Sequence, residues 1–314
     1  MADSEAPPAV RLGAGTILKL VATVVILALV CYSLDLDKLS GALSAIDWHW
    51  LVLGSLASAL FVSLRIIKWR ELTRRNGMNA SGKEIARTAL LGLAVGLITP
   101  VRLGELVGVA PFPRPDRGRA ILSHGYDRLY ELFAVLVFSL PAAFLLLGWT
   151  GRLVIVAIVT LFGIGIVMAQ SAYWRPKFGG FSLLGKVPKL QALLSAIIVT
   201  SPGYWMLSIA YFLTGYLLLT CFIVGIEPID NWHAVFILPV VTLSNLISIT
   251  IGGLGVREGL AAALSPSVGL AAEVAAAAFF LSFFSTRLIP GIVGLMWTAM
   301  STKRHAPSTQ GSAA

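Results

Sequence analysis

Leu97-Ile98-Thr99-Pro100-Val101-Arg102-Leu103-Gly104-Glu105 and Ser248-Ile249-Thr250-Ile251-Gly252-Gly253-Leu254-Gly255-Val256-Arg257-Glu258-Gly259 decide how this chain is read. Each stretch follows an apolar segment of helical character, breaks it with Pro or Gly, and then presents an Arg with a Glu. A charged side chain near the bilayer centre costs about 2.5–3.5 kcal/mol on the insertion scale. Broken backbone at that depth is tolerated only against protein or a water-filled cavity. Two such devices in matching positions of two halves point to a site at a repeat interface, of the kind built into transporters.

The surrounding composition fits a bilayer. Of 314 residues, 57% are hydrophobic and only 12% charged, and the mean hydropathy is +0.85. Six apolar runs approach or exceed the ~20 residues that span hydrocarbon: about 16–34, 49–67, 126–148, 152–171, 203–225 and 270–299. The first has no convincing cleavage site and reads as a retained span rather than a signal peptide. The tails, within 1–15 and 301–314, are rich in Ala, Pro and Ser and read as disordered. One membrane domain over 16–300 is expected, with no soluble domain. Cys31 and Cys221 both lie in apolar runs, and neither has a partner at metal spacing. The net charge of +9 reads as loop basicity facing an anionic leaflet, not as a nucleic-acid surface.

The broken segments, 85–110 and 233–265, either cross or enter and return. If both return, eighteen Lys and Arg collect on one side and only Lys38 and Arg152 on the other. Full crossing makes the two sides far more even. The positive-inside bias therefore selects two re-entrant hairpins and cytoplasmic termini. The first set, 49–148, and the second, 203–299, then run in opposite senses, as inverted repeats do. The fold class expected is an all-α polytopic membrane protein with about six spans and two re-entrant broken-helix hairpins. Segment 181–201, with Lys186, Pro188 and Lys189, reads as an interfacial helix leading into the fifth span.

The charged residues at membrane depth are the candidate site. Arg102 pairs with Glu105 and Arg257 with Glu258, with Thr99, Pro100, Gly104, Gly252, Gly253 and Gly255 as the hairpin breaks. Either pair can also serve only to neutralise itself and pin a hairpin tip. Tyr126-Asp127-Arg128-Leu129-Tyr130-Glu131 opens the third span; Arg128 and Glu131 share a helical face, with Asp127 turned elsewhere. The alternative there is an interfacial cap of acids and tyrosines. Arg287 sits deep in the last run beside Pro290. Arg65–Arg87 reads as a solvated loop, and the tryptophans near span ends as an aromatic belt. Gly92 and Gly96 form a small-residue face for close helix packing. Among the histidines, His49 and His233 look interfacial, and His124 precedes the third span.

No catalytic signature stands beside these residues. Gly180–Val187 imitates a phosphate loop but has Val187 where Ser or Thr is required. There is no zinc-binding His-Glu-x-x-His and no nucleophile elbow. A non-enzymatic protein without cofactor or metal is expected.

The arrangement Pro100-x-Arg102-x-Gly104-Glu105, then Asp127-Arg128, then Gly252-Gly253-Leu254-Gly255-Val256-Arg257-Glu258-Gly259 resembles the flippase-like integral membrane family typified by the transmembrane region of lysylphosphatidylglycerol synthases. The resemblance covers roughly residues 16–300. Family members often carry Asn before the first motif and a basic residue soon after it; this chain has Thr99 and Val107-Gly108. The resemblance implies movement of a lipid between leaflets, with any lipid-modifying enzyme a separate protein.

Taken together, Arg102, Arg128, Arg257 and Arg287, with Glu105, Asp127 and Glu258, are expected to receive an anionic, phosphate-headed lipid near the midplane of a cytoplasmic membrane. Two other readings stand beside this one: an ion-coupled transporter of a small polar solute, and a non-transporting scaffold for a lipid-synthesis enzyme. The partners expected are a membrane lipid, a separate enzyme and, in a homo-oligomer, further copies of the chain.

Overall fold

The computed structural model describes residues 21, 23–26, 28, 29, 32, 35–170, 202–228, 235–244 and 250–303. The expected span 16–34 lies mostly outside these residues. Cys31, segment 181–201 and the two tails to 15 and from 304 lie outside them altogether. Every regular element among the described residues is helical.

The helices are α1 (Leu36–Ser44), α2 (Trp48–Arg75), α3 (Gly82–Ile98), α4 (Arg114–Phe138), α5 (Leu140–Leu146), α6 (Trp149–Gln170), α7 (Pro202–Ile226), α8 (Ile237–Leu243), α9 (Val256–Leu264), α10 (Ala272–Phe283) and α11 (Ile289–Lys303). Four helical stretches are long and apolar enough to cross a bilayer: Trp48–Arg75, Arg114–Leu145, Gly203–Ile226 and Ala272–Ser301. Leucines and valines such as Leu56, Leu60, Leu213 and Leu217 face outward from them, as a lipid-facing surface requires.

Two of these helices start or stop elsewhere than the apolar runs indicate. α2 continues eight residues past the expected end at 67, as far as Arg75. α4 begins at Arg114, twelve residues before 126. Apolar content alone misses both, because each extension is polar but buried against protein. Lys68 and Thr73 are fully buried, and Ala120 and Ser123 likewise. Residues 65–75 are therefore helix and not solvated loop, and Tyr126–Glu131 lies inside a span rather than capping one.

Local chemistry sets the ends. Asp47 caps α2 by accepting the His49 N–H at 2.8 Å. Ser81 and Glu84 cap α3 reciprocally, each satisfying a backbone N–H of the first turn. α3 stops at Ile98 because Pro100 forces the residue before it out of helical geometry; Thr99 is extended, at φ −88° and ψ 148°. The Thr99 hydroxyl bridges the break. It donates to the Val95 carbonyl at 3.0 Å and accepts the Gly104 N–H at 2.7 Å.

After that break the chain doubles back as a 3-10 helix over Pro100–Val109. The returning strand of backbone fits only because of glycine. A Cβ on Gly104 would overlap the Val95 and Gly96 main chain. Opposite it, the Gly92 and Gly96 face receives Glu105. The two ends of this hairpin come out together: Ile85 at its entry and Val109 and Phe112 at its exit share one core with Trp69, Leu72 and Met78.

The second broken segment is α8, a 3-10 turn at Ile251–Gly253, and α9. Gly253 and Gly255 hold φ +80° and +82°, a region costly to any residue with a Cβ. Its ends also come out together. Ile237 at the start and Val268 and Leu270 at the end share a core with Phe222 and Ile223, near the far end of α7. That end of α7 lies beside Asp47, whose N–H donates to the Gly225 carbonyl at 2.8 Å. The two broken segments thus have their ends packed in two separate cores. The tip at Ile251–Gly253 packs against α3, and its Ile251 N–H donates to Thr23 Oγ1 at 2.8 Å.

Side-specific labelling checks this arrangement. In a background with Cys31 and Cys221 replaced, single cysteines at exposed Asn79 and Arg117 should behave alike toward an impermeant thiol reagent in intact cells. Cysteines at exposed His49 and Glu227 should show the opposite behaviour. Opposite labelling of positions 79 and 117 would mean that the first hairpin crosses.

Candidate functional site

Six charges meet between α2, the first hairpin and α4. Lys68 on α2 is fully buried, and its Nζ lies 3.0 Å from both Asp127 Oδ1 and Glu131 Oε1. One turn earlier, Arg65 Nη2 donates to Glu105 Oε2 at 2.7 Å. Arg128 bridges the two groups, donating through Nη2 to Glu105 and through Nη1 to Glu131. Tyr204, from the start of α7, donates its hydroxyl to Asp127, and the Tyr211 ring lies 4.9 Å from Lys68 Nζ. Three cations and three carboxylates therefore neutralise one another. Helical spacing explains the set: Arg65 and Lys68 are three apart, as are Arg128 and Glu131, so each pair shares a face.

A buried network of this kind is costly to break. Removing one partner of a buried pair costs about 3–5 kcal/mol, because a charge is stranded. The position is also informative. Arg65 lies roughly 26 Å along α2 from Trp48 at 1.5 Å per residue. Arg287 is about 22 Å from the start of its own apolar stretch, Ala272–Ser301. The two arginines thus stand at comparable distances from the starts of their helices.

Beside the network is a cavity of about 410 Å³. Arg65, Glu105, His124, Arg128 and Glu131 line it from the first half, and Arg257, Thr286 and Arg287 from the second. Most of the remaining wall is apolar or aromatic, including Phe61, Leu132, Phe212, Tyr216, Leu238 and Phe279, with Thr242 and Ser282 adding hydroxyls. Arg257 is only 6% exposed. It stacks 4.9 Å from the Phe283 ring centre and reaches Glu258 Oε1 at 3.4 Å. Its buried Nε has no hydrogen-bond partner among the described residues. Glu258 is engaged instead in capping α9, accepting the Gly255 N–H at 2.7 Å. Arg287 sits on a π-helical turn, Phe284–Leu288, a distortion frequent at functional positions.

The residues singled out from the sequence divide accordingly. Glu105, Arg128, Arg257 and Arg287 surround one cavity. Asp127 and Glu258 stand behind it, holding Lys68 and the α9 turn. Glu105 pairs with Arg65 and Arg128. The Arg102 side chain lies outside the described residues. Arg65, Lys68 and Tyr204 were missed. Arg65 and Lys68 were absorbed into a basic loop, although their spacing from the apolar run already placed them on its helical continuation. No sequence signal marks Tyr204, whose partner lies 77 residues away.

Thermal unfolding in detergent checks the network. Lys68→Met should cost about 3–5 kcal/mol by stranding Asp127 and Glu131. Arg75→Ala, which breaks only a surface pair with Glu71, should stay within about 1 kcal/mol.

No curated protein and no solved structure matches the chain. The family described as the lysylphosphatidylglycerol synthase transmembrane region matches residues 16–294. With its helices apolar and bilayer-length and its motifs gathered around one cavity, the chain is an integral membrane protein belonging to that family.

Proposed function

We propose that this protein is a flippase-like transporter that moves an anionic, phosphate-headed lipid between leaflets. One observation carries the reading: Arg257, buried and under-satisfied, lines a cavity shared by both halves of the chain. Guanidinium matches phosphate through two parallel hydrogen bonds, and burial strengthens the match. The cavity volume is at the low end of the ~300–1,000 Å³ typical of small-ligand sites. It accommodates a headgroup and leaves acyl or prenyl tails outside, against the apolar wall and the surrounding lipid.

The proposed architecture is six spans with two re-entrant hairpins related by inversion. Its support is that the two ends of each broken segment share one core, a separate core for each segment. Inverted halves give alternating access by rocking about a shared site. The basic end, with Arg74, Arg75, Arg114 and Arg117, is assigned to the cytoplasm of an inner membrane. No residue is given a catalytic role in this reading, and any lipid-modifying enzyme is a separate protein.

Reconstitution tests the proposal. Purified protein in liposomes should accelerate exchange of tail-labelled phosphatidylglycerol between leaflets, read by a reagent confined to the outer leaflet. Loss of charged hydrogen bonds worth about 1.5–3 kcal/mol predicts that Arg257→Ala slows exchange roughly 10- to 150-fold. Arg75→Ala should leave it within about twofold. Arg257→Lys should restore part of the rate, since it keeps charge and loses the fork. Unaccelerated exchange of phospholipids, polyprenyl phosphates and aminoacylated lipids alike, with and without a proton gradient, would favour the scaffold.

A further inference from the structure

Trp69 and His124 stand one helical turn beyond the charged cavity wall. On α2, Trp69 follows Arg65 by four residues; on α4, His124 precedes Arg128 by four. Each pair therefore shares a helical face. Lys68 meets Asp127 and, further along, Asn76 meets Ser123, so the two helices run antiparallel. Both steps thus lead about 5.4 Å toward the basic end. His124 lines the cavity together with Leu106, and Leu106 packs on the cluster that holds Trp69. The Trp69 and His124 rings meet edge to face, their centres 5.6 Å apart.

This corner holds donors and has room in front of them. Trp69 is 6% exposed, and its buried Nε1 has no hydrogen-bond partner among the described residues, a costly state for an N–H. A methyl group on Gly108 would meet Trp69 Nε1 at 3.7 Å and no other described heavy atom within 4 Å beyond its own turn and chain neighbours. His124 supplies a second donor. Its Nε2 faces Arg128 Nε at 3.5 Å; Arg128 Nε always carries its hydrogen, so Nε2 is the unprotonated nitrogen and Nδ1 bears the proton. Both donors are neutral, whereas those one turn away are guanidiniums, which hold charged phosphate oxygens more strongly.

We infer that the Trp69–His124 corner is a second subsite of the cavity, which takes an uncharged oxygen acceptor of the headgroup, a hydroxyl or an ester carbonyl, about one helical turn beyond the phosphate. This rests on the transport reading above and adds a second contact to it. A headgroup that extends past its phosphate with an oxygen satisfies the indole N–H; one that ends in hydrocarbon leaves it unpaired.

Two tail-labelled lipids isolate that contact in the liposome exchange assay: phosphatidylglycerol, and phosphatidyl-1-propanol, the same phosphodiester with hydrogen in place of both glycerol hydroxyls. Charge and headgroup length are the same in both. The protein-dependent rate should be about three- to tenfold higher for phosphatidylglycerol, the range of one neutral hydrogen bond. Trp69→Phe keeps a ring in the cluster and removes the N–H. Gly108→Ala keeps the N–H and fills the room in front of it. Each should lower the ratio by slowing phosphatidylglycerol, with phosphatidyl-1-propanol held within about twofold. Equal rates for the two lipids, or a ratio that neither variant lowers, would overturn the subsite and leave transport standing. Exchange of neither lipid would overturn the subsite, and the transport reading with it if polyprenyl phosphates and aminoacylated lipids also stay in place. Should Trp69→Phe fail to fold, Gly108→Ala decides.

Discussion

Lys68 is the charge on which the rest of the bundle depends. Its ammonium is completely enclosed, so it persists only because Asp127 and Glu131 are both 3.0 Å away. Those carboxylates belong to α4, and one of them is fixed by Tyr204 from α7. Through Arg128 the same set reaches Glu105 on the first hairpin. Four separate elements are thus joined by charge where hydrocarbon surroundings supply no hydrophobic drive between helices. The network also accounts for the polar continuation of α2, where Lys68 meets Asp127 and Glu131 of α4.

This neutral wall gives the opposite wall its character. The six described charges of the first half pair among themselves, whereas Arg257 lines the cavity with a buried Nε that has no hydrogen-bond partner among the described residues. Arg257 is held loosely in charge terms, with one long contact to Glu258 and a ring face at Phe283. Glu258 is committed to the α9 N-terminus, where an acid complements the exposed N–H groups of the first turn. A residue that looks like a counter-ion in sequence is therefore mainly a structural cap. The guanidinium beside it keeps donors for something else.

Much of this was legible in the sequence, and the unread part has a physical cause. Of the six apolar runs, four coincide with helical stretches long and apolar enough to cross a bilayer, and the Pro and Gly breaks fall where helices are interrupted by 3-10 turns. Ile85 and Phe112, on either side of the first break, share one core. Apolar runs, however, register lipid-facing surface and not helix length. They end where burial against protein begins, which is why Arg65 and Lys68 looked like loop. Pairing was less legible still. The described partners of Glu105 are 40 and 23 residues away, and its side chain packs on Gly96. Contacts made by such folding back leave no trace in local spacing.

The π-helical turn at Phe284–Leu288 has one more implication. A π turn takes in an extra residue and rotates everything beyond it relative to everything before. Above it, α10 packs on α9 and α7; below it, α11 packs on α3. A single membrane-crossing rod is thereby keyed at two phases, one to each half of the chain, with Arg287 at the joint. Were the turn to relax into ordinary helix, α11 would swivel by most of a residue's angular step and no longer present the same stripe to α3. The π turn thus sets the phase between the two parts of the rod at the residue, Arg287, that lines the cavity.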